Sequence, residues 1–227
     1  MSNLDDFLKM NGAVAVEGFS QQNPKQVEAL KTLVSSEKIR SVLEIGFNAG
    51  HSSDIFLSTN PNAHVLSFDL GKYKSVSVGK AFVDHMYPKR HSLVIGDSKI
   101  SVPLFHEKNP KVKFDLIFID GGHDYDTAKA DFLNCKNLSH SDTIVIMDDT
   151  TYSNGYQTEW SVAPTEVWTD AIETGFLIES GREEYDIGRG MSWGKYDMSF
   201  FSKPALAAPV LSNSAPKNRV GSIKMTL

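Results

Sequence analysis

Five short apolar runs set the strongest limit on what this chain can fold into. They are Ser41 to Ile45 (SVLEI), His64 to Phe68 (HVLSF), Ser92 to Ile95 (SLVI), Phe114 to Ile119 (FDLIFI) and Thr143 to Met147 (TIVIM). Their starts lie roughly 20 to 30 residues apart, the repeat of a strand–helix unit. The runs are near-continuous rather than alternating, as expected for parallel strands buried on both faces. Segments of helix length separate them. Gln26 to Ser35 places Val27, Leu30, Leu33 and Val34 on one stripe, with Pro24 as an early-turn residue. Asp126 to Leu138 places Ala130, Leu133 and Leu138 similarly, after an acidic start that suits a helix N-terminus. Alternating strands and helices predict an α/β fold with a parallel central sheet and right-handed crossovers.

Past Asp149 the pattern changes. Thr150 to Trp160 is polar and aromatic and reads as a long loop, with Tyr152, Tyr156 and Trp160 as either a lid over a substrate or packing residues. Pro164 to Thr174 reads as a helix, with Trp168 in the core. Gly175 to Glu179 and Met198 to Ser202 read as two late strands joined by a glycine-rich stretch. Residues 204–227 carry three prolines and little periodicity and read as a mobile tail. The expected organisation is therefore one domain over residues 1–203, with 1–22 as a lead-in.

Composition narrows the function classes. The chain has 227 residues, 41% of them hydrophobic and 22% charged, with a net charge of −5. That is ordinary for a globular domain and excludes a collagen, a coiled coil or a disulfide scaffold. Mild acidity argues against nucleic acid as a partner, since phosphate binding needs a clustered basic surface. No apolar run approaches the ~20 residues of a membrane span, and residues 1–9 do not read as a signal peptide. The lone Cys135 suits a reducing, cytoplasmic setting.

Polar residues gather where the runs end. Directly after the first run comes Glu44-Ile45-Gly46-Phe47-Asn48-Ala49-Gly50-His51-Ser52-Ser53. Its glycines allow a tight turn and close backbone approach. The following helix start, which Ser52 or Ser53 could cap, suits an anionic group. The middle glycine of GxGxxG is missing, which argues against a pyrophosphate site. Asp69 ends the second run, where an acid can bind both hydroxyls of a ribose. Gly96-Asp97-Ser98 ends the third. Each acid alone is more often a turn or cap residue; together they point to a nucleoside-containing ligand beyond the strand ends. Asp120 ends the fourth run and Asp148-Asp149 the fifth. Three converging carboxylates repel unless a proton or cation relieves them. An all-oxygen set suits Mg²⁺, Mn²⁺ or Ca²⁺ rather than zinc. The bland alternatives are a turn acid at Asp120, helix caps at Asp148-Asp149 and a capping role for His123. The lysines at 72, 74, 80 and 89, with Arg90, read as solvated surface, with an anionic substrate as the alternative they could face.

The runs VLEIGFNAGHSS, SFDL, GDS, DLIFIDGGHDY and IVIMDDT resemble the class I S-adenosylmethionine-dependent methyltransferases. More narrowly, they resemble the metal-dependent catechol/caffeoyl-CoA-like and macrocin-type O-methyltransferases, over roughly residues 17–203. Gly190 to Tyr196 looks like a late hairpin of that group. The resemblance implies a Rossmann-like seven-stranded, mostly parallel sheet with helices on both faces, the last strand antiparallel. It implies S-adenosylmethionine as cofactor. Glu44, Gly46, Phe47, Asn48 and Gly50 would lie near its amino-acid part, Ser52 near its carboxylate, and Asp69 with Leu70 at the ribose. Asp97 and Ser98 would lie near the adenine, with Asp120 also in contact. It implies a divalent metal on Asp120, Asp148 and Asp149. The Asp-Asp pair matches the macrocin-like members better than the Asp-Asn of many catechol-type ones. A metal lowers the pKa of an acceptor hydroxyl, and a nearby base removes its proton. His123, three residues after Asp120, is the expected base; Asp124 and Asp126 are weaker choices. The expected reaction is O-methylation of a small hydroxylated molecule, a sugar or a phenol, by a monomer or homodimer. A metal-dependent hydrolase or hydroxylase, and a non-catalytic binding module, are the alternatives.

Overall fold

A computed structural model of the protein describes residues 4–13, 23–153, 158–186 and 188–202, the side chains of 201 and 202 excepted. The expected tail over 204–227, most of the lead-in between residues 14 and 22, and Tyr156 lie outside these residues.

Seven strands form one sheet. They are β1 (Ser41–Ile45), β2 (His64–Asp69), β3 (His91–Ile95), β4 (Phe114–Ile119), β5 (Ser139–Asp148), β6 (Leu177–Asp186) and β7 (Arg189–Tyr196). Their spatial order is β3-β2-β1-β4-β5-β7-β6. The first five are mutually parallel, and β7 runs antiparallel to both β5 and β6. The helices are α1 (Leu4–Met10), α2 (Pro24–Val34), α3 (His51–Thr59), α4 (Lys74–Met86), α5 (Ser98–Lys108), α6 (Tyr125–Lys136), α7 (Glu159–Glu173) and α8 (Met198–Ser202).

Pleating sends alternate strand residues to opposite faces, and each face is covered. Val42, Val65, Phe118 and Ile146 join α1 to α4 in one apolar cluster that includes Leu8, Leu30 and Phe56. Leu43, Ile45, Ile117 and Val145 join α5 to α7 in the other, around Phe132 and the fully buried Trp168. The chain winds outward from β1 to β3, then crosses back to β4 beside β1. Ligands of open α/β sheets bind at that reversal, beyond the carboxyl ends of the strands.

The five parallel strands stand where the apolar runs predict them. The C-terminal third differs. Met198–Ser202 is a helix rather than a strand, and the glycine-rich stretch is not a plain connection but strand β7, which pairs with β6 as the hairpin that the resemblance implied for Gly190 to Tyr196. Its glycines allow close strand approach: a Cβ at Gly194 would sit 2.3 Å from the Ile178 carbonyl oxygen, and one at Gly190 2.5 Å from that of Thr150. Helix α7 begins five residues before the proline expected to open it, so Pro164 lies inside it and cannot bond to the Trp160 carbonyl.

Candidate active site

A cavity of about 800 Å³ opens at the carboxyl ends of β1, β2, β3, β4 and β5. The loop after β1 forms its floor. Gly46 has φ +93°, and a Cβ there would lie 1.8 Å from the Asp120 carbonyl oxygen, so only glycine lets the loops after β1 and β4 meet. Gly50, at φ +88°, is the N-cap of α3. Neither expected serine caps that helix. Ser52 and Ser53 instead donate to the Glu44 carboxylate, Ser53 at 2.6 Å, and Ser67 donates to it as well. Glu44 is wholly buried, which raises its pKa while the three hydroxyls oppose the rise. It therefore braces the loop from below. Glu44 and Gly50 are absent from the cavity wall, whereas Gly46, Phe47, Asn48 and Ser52 form part of it.

Asp69 and Leu70 line the cavity beside that loop, and Asp97 and Ser98 line it beyond β3. The Asp69 carboxylate is fixed by two backbone donors, Asn48 N–H at 2.8 Å and Gly71 N–H at 2.7 Å. Each of its oxygens keeps a lone pair for a ligand hydroxyl. Asp97 caps α5 by accepting from the Lys99 N–H at 2.9 Å, so the bland and the functional readings of this acid coexist.

The opposite wall carries Asp120, His123, Asp148 and Asp149. Asp149 has φ +57°, an uncommon backbone for a residue with a Cβ. His123 Nε2 lies 3.0 Å from Asp149 Oδ2. One donor atom from each of Asp120, His123 and Asp149 falls within 4.8 Å of the others, close enough for one ion. Asp148 turns its oxygens elsewhere: Oδ2 accepts from Gln26 Nε2 at 2.6 Å and Oδ1 from the Tyr185 hydroxyl at 3.0 Å. Burial, then Asp148 and Asp149, raise the pKa of Asp120 well above the carboxylate range, with Arg189 easing it. Burial and Asp149 push Asp148 up to about 7. Arg189 offsets part of this mutual repulsion at both Asp120 and Asp148.

The cavity has further members, some singled out by the sequence, as Trp160 and His51 are, and some not. Tyr73 and Arg189 line it, as does Lys72, which had read as solvated surface. Trp160, at the start of α7, is 44% exposed and also lines the cavity. His51 belongs to the wall and is tied to Asp5 of α1 at 3.0 Å. Gln26 had been counted only as the start of a helix. Its one signal is its place, four residues before Leu30 on a stripe otherwise apolar.

Residues 43–150, from β1 through β5, match a family model described as a methyltransferase domain. No curated protein matches the chain in sequence. Similar solved structures include O-methyltransferases. One from Bacillus cereus, in complex with S-adenosylhomocysteine, is 19% identical over 87% of this chain and 91% of its own, with a TM-score of 0.69. TomG from Streptomyces achromogenes, involved in tomaymycin synthesis and bound to S-adenosylmethionine, is 12% identical over 86% and 88%, at 0.66. CalS11, a TDP-rhamnose 3'-O-methyltransferase of calicheamicin biosynthesis, is 16% identical over 85% and 92%, at 0.55. At such identities the likeness is one of fold. Among the described residues no helix is long and apolar enough to cross a membrane.

Proposed function

We propose that this chain is a class I methyltransferase that is S-adenosylmethionine-dependent, divalent-metal-assisted and specific for a hydroxyl of a small molecule. The observation that carries the reading is the cavity's two-sided build. A glycine loop and a fixed acid, Asp69, form one wall, and the Asp120–His123–Asp149 cluster forms the other.

The chain's residues fit the cofactor. Gly46 keeps the floor open where any side chain would strike the Asp120 backbone. Asp69, held by two backbone N–H groups, offers both oxygens to a ribose diol. Leu70, Asp97 and Ser98 continue the wall toward the adenine, and Phe47, Asn48 and Ser52 toward the amino-acid part. When bound, S-adenosylmethionine supplies a methyl group on a positively charged sulfur, which departs as a neutral thioether when the acceptor oxygen takes the methyl.

Asp120, Asp148 and Asp149 would hold the metal. Such an ion would supply Lewis-acid chemistry, lowering the acceptor hydroxyl's pKa. His123 removes the hydroxyl proton. An Nε2–H donated to Asp149 makes Nδ1 the basic nitrogen, and the carboxylate stabilises the imidazolium that forms. Trp160 offers a flat apolar surface at the mouth, suited to a sugar face or an aromatic ring. The sugar named for CalS11 favours testing nucleotide-linked sugars beside catechols.

The test is methyl transfer from labelled S-adenosylmethionine to a panel of sugars and phenols, with and without EDTA. The reading expects turnover that EDTA abolishes and Mg²⁺ or Mn²⁺ restores. Full turnover in EDTA contradicts the metal's role, and failure to bind S-adenosylhomocysteine contradicts the transferase itself.

A further inference from the structure

Gln26 is a buried amide in a place where an apolar side chain would normally stand. The buried positions of α2 are Gln26, Leu30 and Val34, one face of the helix at a spacing of four. Only 1% of Gln26 is exposed, and its Oε1 has no hydrogen-bond partner. An orphaned buried carbonyl is destabilising, so packing of α2 does not account for the residue and its other end does.

That other end reaches the active site. Nε2 donates at 2.6 Å to Asp148 Oδ2, across 122 residues of sequence. With Asp148 deprotonated, as a metal ligand must be, its carboxylate only accepts, and the amide presents its NH₂ to it. From the opposite side, the Tyr185 hydroxyl on β6 donates at 3.0 Å to Asp148 Oδ1. Both oxygens are therefore gripped by neutral donors carried on two different elements. Neither donor adds charge to the cavity, and neither grip uses up the carboxylate, which has about four acceptor positions.

We propose that Gln26 and Tyr185 are positioning residues for the metal centre, setting the orientation in which Asp148 meets a divalent cation. The proposal rests on the metal reading above. It makes α2, which lies outside residues 43–150 of the matched domain, a working part of the site. Gln26→Leu removes the donor and keeps an apolar side chain of similar size, which suits the buried stripe. Tyr185→Phe removes one hydroxyl. Partners that orient a metal ligand typically contribute tenfold to a hundredfold in metal affinity.

The experiment measures Mn²⁺ dissociation constants by the electron paramagnetic resonance of free Mn²⁺, for the wild type, Gln26→Leu, Tyr185→Phe and Asp148→Asn. Calorimetry with S-adenosylhomocysteine in EDTA and the melting temperature of the metal-free proteins are read in parallel. Asp148→Asn is expected to bind Mn²⁺ most weakly. Gln26→Leu and Tyr185→Phe should each weaken it tenfold to a hundredfold, with S-adenosylhomocysteine affinity within twofold of wild type and no loss of melting temperature. A merely structural role would move the melting temperature and leave the Mn²⁺ affinity alone, and that result overturns the proposal. Wild-type Mn²⁺ affinity in Asp148→Asn overturns it as well. If Gln26→Leu fails to fold, Tyr185→Phe decides alone by the same criteria. A wild type that binds S-adenosylhomocysteine but no Mn²⁺ overturns the metal reading itself, and the proposal with it.

Discussion

Replacing Gly46 with alanine tests whether the loops after β1 and β4 are built as one unit. Two costs arise, and they can be separated. The first is conformational: φ is +93°, where a Cβ costs about 1–2 kcal/mol. The second is steric. The new Cβ would lie 1.8 Å from the Asp120 carbonyl oxygen and 2.8 Å from its carbon. Those are backbone atoms, so no rotamer change relieves the contact, and overpacking of this kind costs about 1–3 kcal/mol. The sum is about 2–5 kcal/mol. For a domain of this size that lowers the melting temperature by roughly 5–20 °C. Because relief requires Asp120 to move, the cavity should deform and cofactor affinity should fall with stability. Gly175 provides the control. It too has positive φ, +73°, but nothing lies within 4 Å of its Cβ position. Gly175→Ala should carry the conformational cost alone and leave ligand binding intact. Thermal melts and calorimetry with S-adenosylhomocysteine on both variants give the comparison. If Gly46→Ala is no more damaging than Gly175→Ala in either measurement, the two loops are not locked together as described.

Three further outcomes follow from the geometry. His123→Ala should lower kcat by about 10²–10⁴, the usual contribution of a general base, with S-adenosylhomocysteine affinity unchanged by calorimetry. Asp69→Asn should weaken that affinity about tenfold to a hundredfold, since it removes the charge from hydrogen bonds to the ribose and leaves only one carbonyl for two backbone donors. Asp131, on α6 beneath Gly121, is fully buried, and burial pushes its carboxyl to about 6, with the Ser98 hydroxyl offsetting part of the rise. An acid whose folded pKa is raised favours the folded state while protonated. Stability should therefore fall as pH rises from about 4 to about 6, by on the order of 3 kcal/mol. Asp131→Asn should exceed the wild type in urea stability at pH 7.5, and the difference should vanish near pH 4.

Much of the fold was legible because doubly buried parallel strands must be apolar at nearly every position. The runs at 41–45 and 114–119 are such strands, and each ends in a polar turn that marks the ligand face. The edge of the sheet was less legible for the same reason. β6 alternates and is half exposed, and β7 carries glycines where strand backbones approach closely, so neither resembles a buried run. Met198–Ser202 is apolar enough for a strand, but it follows the end of the sheet and closes over Phe176 as a short helix. In the site, strand-end acids were visible from their positions. Which way a carboxylate turns was not. Glu44 looked like a ligand contact and braces the loop through three serines instead. Asp148 is gripped by a glutamine 122 residues away, and no local pattern encodes that pairing. Lys72 reaches the cavity from the loop after β2 and Arg189 from the start of β7, placements that composition does not carry.

A crystal structure of the protein with S-adenosylhomocysteine and Mn²⁺, read by manganese anomalous scattering, tests the central claim most directly. The account predicts the nucleoside along Asp69 and the Gly46 loop, with one manganese peak at about 2.0–2.4 Å from oxygens of Asp120, Asp148 and Asp149. A nucleoside bound elsewhere, or a filled cofactor site with no manganese peak at those carboxylates, would contradict it.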